Sequence, residues 1–125
     1  MSLLLRLTAL LVLAWAVFLL ALEAHVVAWE ELSPQLPAFA NGLAIANVAL
    51  AYVFWHGARD PAANRGAVYG ALILLALKLA NDLYELLVLL PARGAAISLA
   101  DLVVTLALLV GILEALPRMV EVGER

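Results

Sequence analysis

The stretch KLANDLYELL places Lys78, Asn81, Asp82 and Glu85 at helical spacing inside one of the most apolar parts of the chain. Residues three, four and seven apart share one face of a helix. The four side chains would then present an ammonium, an amide and two carboxylates together. Such a set can hold a proton or a cation, or carry acid–base steps on a lipid-soluble substrate. Ser98, Asp101 and Thr105 repeat the spacing further on, and Glu23, His25, Asn41 and Asn47 are further polar groups in apolar surroundings. The candidate ligand- or ion-binding residues are therefore Asp82, Glu85, Lys78, Asn81, Asp101, Glu23, His25, Asn41 and Asn47, with Asp82 the first choice for a titrating group.

Each has a plainer reading. Lys78 and Asp82 stand i,i+4 and can pair along the helix, and Asn81 can bond Glu85 or a neighbouring helix. Polar residues turned toward a partner subunit would look the same. Glu23 and His25 point about 200° apart around a helix and cannot both face one ion. His25 and His56 fall at opposite ends of the membrane, so they cannot hold one haem between them, and His56 is expected to pair with Tyr52 one turn back. No metal or cofactor is expected. The sequence has no HExxH, no Gly-rich phosphate loop and no Ser/His/Asp set.

The elements that would position these groups follow from composition. The 125 residues are 67% hydrophobic and 14% charged, against about 45–50% and about 25% for soluble domains. A soluble chain this short could not bury that much apolar surface, so the bilayer is the expected solvent. A net charge of −3 offers no basic face for nucleic acid. The absence of cysteine excludes disulfides and thiolate metal sites.

A helix needs about 20 apolar residues to cross the hydrocarbon core. Four stretches qualify, at about 3–29, 38–55, 67–90 and 95–116. EELSPQLP, HGARDPAANRG and PARG connect them, and Pro117 is expected to close the fourth. The expected architecture is an all-α, polytopic membrane protein, a single four-helix transmembrane bundle over 1–125. The first stretch is too long for the apolar core of a signal peptide and precedes no clean A-x-A site, so it is read as a span.

Arg6, Arg59, Arg65, Arg118 and Arg125 fall on one side and Arg93 on the other. The positive-inside rule then places both termini in the cytoplasm, in the plasma (inner) membrane. Trp29 and Phe39 would lie at the outer interface, and Tyr52, Trp55 and Tyr69 at the inner one. Gly42, Ala46, Gly66, Gly70, Ala76, Ala80, Ala107, Gly111 and Ala115 are candidate points of close helix approach. At about 1.5 Å per residue, Lys78 sits near mid-membrane, Asp82 roughly 4–5 Å outward, Asp101 roughly 7 Å outward, and Glu85, Glu23 and Asn41 roughly 9–10 Å outward or more. The intramembrane polar groups thus gather in the outer half. Trp15, near mid-membrane, reads as a packing residue, and Glu114 with Arg118 as an i,i+4 ion pair.

In size and span number the chain is similar to small multidrug-resistance transporters, which use a carboxylate within the first helix. Glu23 lies nearer the outer end and no surrounding motif matches, so none of their residues carries over. The leading expectation is a non-catalytic subunit or scaffold of a membrane complex or homo-oligomer. A proton- or cation-coupled small-solute transporter or channel is the first alternative, and an intramembrane acid–base enzyme the second. The expected partners are the lipid bilayer and other membrane subunits, with no nucleic acid.

Overall fold

The computed structural model describes residues 1–25, 36–84, 86–87 and 95–123, with side chains over 1–21, 40–84, 86–87 and 99–121. Four helices follow in order: α1 (Ser2–His25), α2 (Leu36–Gly57), α3 (Arg65–Tyr84) and α4 (Ala95–Gly123). No strand occurs among the described residues. Three of these helices, α1, α3 and α4, are long and apolar enough to cross a membrane by length and composition. α2 is not one of the three; among its apolar residues it carries Asn41, Asn47, Tyr52, Trp55 and His56.

Neighbours run antiparallel. Arg6 of α1 meets Trp55 of α2, Phe54 of α2 meets Gly70 of α3, Lys78 of α3 meets Asp101 of α4, and Gly111 of α4 meets Leu4 of α1. α1 packs most extensively on α2, and α3 on α4. Each helix turns one stripe inward. In α1 it is Leu5, Thr8, Ala9, Val12 and Ala16; in α2, Ala40, Ala44, Ala51 and Phe54; in α3, Val68, Ala71 and Leu75; in α4, Thr105, Leu108, Ile112 and Met119. Alanine is most frequent in the α2 stripe, as expected where helices in lipid gain by close van der Waals approach and not by expelling water.

The turn between α2 and α3 is built by its own polar groups. Asp60 Oδ1 accepts from the Ala63 backbone N–H at 3.1 Å, with Pro61 directly after it. An acceptor followed by proline is a natural helical start, since proline's missing N–H would be unpaired there anyway. Asn64 then donates its side-chain amide to the Asp60 carbonyl at 2.8 Å.

Three expectations are corrected. Pro117 does not end α4, which runs on to Gly123. Proline removes one backbone donor and crowds the preceding turn, but Met119 is buried in the core, and Leu116 and Val120 pack against it, so tertiary contacts hold the last turns. Gly42 and Gly66 are not points of close approach: a Cβ on either would meet nothing within 4 Å. Ala46, Ala76, Ala80 and Ala107 are likewise exposed. Gly111 does meet α1, with Leu4 Cδ2 3.0 Å from its would-be Cβ. Glu114 and Arg118 are both exposed and form no ion pair. Trp29, Arg93 and the side chain of Phe39 lie outside the described residues.

The tightest approach at a described glycine is at Gly57, where an added Cβ would stand 2.5 Å from Ala67 Cβ. Neither carbon can move without its helix. Gly57→Ala should therefore lower the unfolding midpoint in detergent, at a cost of about 1–3 kcal/mol. Gly42→Ala, with open space around it, should be neutral or slightly stabilising, by up to about 1 kcal/mol.

Candidate functional site

The polar residues of α3 and α4 extend the buried stripes of their helices. Lys78 and Asp82 continue the run Val68, Ala71, Leu75 by steps of three and four, and Asp101 stands one turn before Thr105. Packing the apolar part of each helix therefore carries its charges inward. Asp82 is buried, and Lys78 and Asp101 nearly so, with side chains 16% and 13% exposed.

Lys78 is the centre of the cluster. Its Nζ donates to Asp82 Oδ1 at 3.1 Å and Oδ2 at 2.9 Å, and to Asp101 Oδ2 on the neighbouring helix. An ammonium has three donors, and three carboxylate oxygens receive them. Trp15 of α1 completes the enclosure. Its indole Nε1 donates to Asp101 Oδ1 at 3.2 Å, and its ring lies 4.5 Å from Lys78 Nζ, within range of a cation–π contact. Charge-assisted bonds are the strong class, and low surrounding polarity strengthens them further. One cation thus ties α1, α3 and α4 together.

A cleft of about 370 Å³ opens beside this clamp, between α1, α2 and α3. Lys78, Asn81 and Asp82 line it from α3, Asn47 from α2 and Trp15 from α1. Asn47 stands between the buried Ala44 and Ala51 on its helix, so its register too leads inward. A second cleft of about 290 Å³, lined by Leu11, Ala14, Phe18 and Asp101, lies on the other side of the indole. Trp15 is the wall between them, with Phe18 set edge-on against it at 5.5 Å.

Of the sequence candidates, Lys78, Asp82 and Asp101 meet directly, and Asn47 and Asn81 join them at the cleft. Asn41 is half-buried on α2. Glu85 and the side chains of Glu23, His25 and Ser98 lie outside the described residues. His56 stacks on Tyr52 at 5.9 Å, as its spacing implies. Thr105 is fully buried, and its hydroxyl has no hydrogen-bond partner among the described residues.

Trp15 is the site residue that the sequence reading left out of the candidate set. It does pack, but its indole N–H also binds a carboxylate eighty-six residues away. The available signal was chemical: a buried indole N–H needs an acceptor, and hydrocarbon has none. Chemically, the clamp neutralises one ammonium with two carboxylates, and all three donors of Lys78 are engaged. Compared with known families, curated proteins and solved structures, the chain matches none.

Removing the ammonium leaves two carboxylates facing each other in a poorly solvated site. Lys78→Met should destabilise the bundle toward the lower end of about 3–5 kcal/mol, the range for breaking a buried pair. Trp15→Phe keeps the ring and loses the donor, and should cost about 0.5–1.5 kcal/mol. Unfolding in mixed detergent micelles measures both.

Proposed function

We propose that this chain is a non-catalytic subunit or scaffold of a membrane complex or homo-oligomer, set in the plasma (inner) membrane with both termini cytoplasmic. One observation carries the reading: Lys78 is enclosed by Asp82, Asp101 and Trp15 from three helices. Ionisable groups inside a membrane are the first place to look for function, and here Lys78, Asp82 and Asp101 bind one another. Much of the described exterior is made of large apolar side chains, such as Ile45, Ile73, Leu77 and Val103. Those faces suit lipid and other spanning helices, which associate by packing.

Proton- or cation-coupled transport is the second reading, favoured by the cleft that runs up to Lys78, Asn81 and Asp82. An acid–base enzyme draws less support, because Lys78 and Asp82 are engaged with each other.

Crosslinking in native membranes followed by mass determination separates the two leading readings. A subunit should be recovered with stoichiometric membrane partners or as a fixed oligomer, and should pass no ions when reconstituted alone in liposomes. Recovery as an isolated monomer that moves protons or cations, with flux lost in Asp101→Asn, would establish transport instead.

A further inference from the structure

The outward side of the α1–α2 pair carries a furrow of about 210 Å³. Its walls include Leu10 and Leu13 from α1 and Val48, Ala51, Tyr52 and Trp55 from α2. No residue of α3 or α4 lines it, so it faces away from the bundle. Most of its lining is exposed in the isolated chain.

Helix register fixes what stands at one end. Arg6 precedes Leu10 by four residues and Leu13 by seven, so it lies on the same face of α1, about 10 Å along the axis from Leu13. Its guanidinium is 5.6 Å from the centre of the Trp55 ring. That contact uses none of its N–H groups in a conventional hydrogen bond, and no ion pair or hydrogen bond takes them among the described residues. Trp55 shares the furrow wall with Tyr52, on which His56 is stacked. A narrow apolar furrow therefore ends at a cation with open donors, held in place by an aromatic ring.

We propose that this furrow is a binding site for an anionic phospholipid of the leaflet that holds Arg6. One acyl chain lies between Leu10, Leu13 and Val48, and the phosphate meets Arg6 and the Trp55 indole N–H. The cation selects the occupant. A partner helix would leave the Arg6 donors in an apolar contact, whereas a phosphate matches the guanidinium fork. The depth is right as well, because interfacial tryptophan and tyrosine mark the headgroup level, and basic pockets between spanning helices take anionic headgroups. The site is separate from the Lys78 clamp and does not depend on its role.

The test uses the purified chain in micelles titrated with phospholipids whose acyl chains are brominated, as phosphatidylglycerol or as phosphatidylcholine. Quenching at Trp55 is the difference between the wild type and Trp55→Phe. The anionic lipid should quench at roughly fivefold lower concentration, the effect of one basic residue near the headgroups. Arg6→Gln should abolish that preference, and Arg6→Lys should keep part of it. Arg118→Gln, which removes a cation away from the furrow, should leave it intact. Equal quenching by both lipids overturns the proposal, as does a preference that survives Arg6→Gln or falls equally in Arg118→Gln. The chain has no cysteine of its own, so Val48→Cys gives a single reporter. Efficient disulfide linkage of two copies through it, with no quenching by either lipid, would assign the furrow to a second copy.

Discussion

An ammonium group inside a bilayer has no water to turn to, and Lys78 replaces water with two carboxylates and an aromatic ring. Charged groups at the bilayer centre cost about 2.5–3.5 kcal/mol each on insertion scales. Three such groups spread around separate helices would each face that cost. Brought together, they satisfy one another, and doing so fixes how the helices are rotated. Lys78 and Asp82 can turn inward only if Val68, Ala71 and Leu75 do as well. Asp101 sets Thr105, Leu108 and Ile112 in the same way on α4, and Trp15 holds α1 against both.

The other end of the bundle is assembled by different forces. There the backbones of α2 and α3 close to within the reach of a single methyl group at Gly57 and Ala67. Asp60 and Asn64 form the turn with local hydrogen bonds. Arg6 reaches across to Trp55. Close packing can dominate there because the helices carry small residues and few charges on the faces that meet. Polar pairing dominates where charge had to be buried.

Much of this was legible in the chain itself. The spacing of Lys78, Asn81 and Asp82 marked one face, and that of Asp101 and Thr105 another, because sequence offsets translate directly into helix faces. The Lys78–Asp82 pair is local and could be read off as i,i+4. That Asp101 shares the same ammonium was not readable, since the relative height of α3 and α4 depends on helix ends and loop geometry. Trp15 escaped for a similar reason: its size suggested packing, and its acceptor lies on the last helix. Counting small residues misled at Gly42 and Gly66, which face open space. Composition says that close approach is possible, but only rotation says which glycine makes it. Pro117 shows the converse, a strong local stop signal outweighed by the packing of Met119 and its neighbours.

The central claim is that α3 and α4 are joined by a direct charge contact and not merely by neighbouring apolar surfaces. A double-mutant cycle on Lys78→Met and Asp101→Asn, followed by reversible unfolding in mixed micelles, measures that contact with the packing cancelled out. Residues in one ionic network show coupling of about 0.5–3 kcal/mol, whereas independent sites add to within about 0.3–0.5 kcal/mol. The clamp predicts a coupling above about 1 kcal/mol, with the double variant less damaged than the sum of the two single ones. Simple additivity would mean that Lys78 and Asp101 do not hold the helices together.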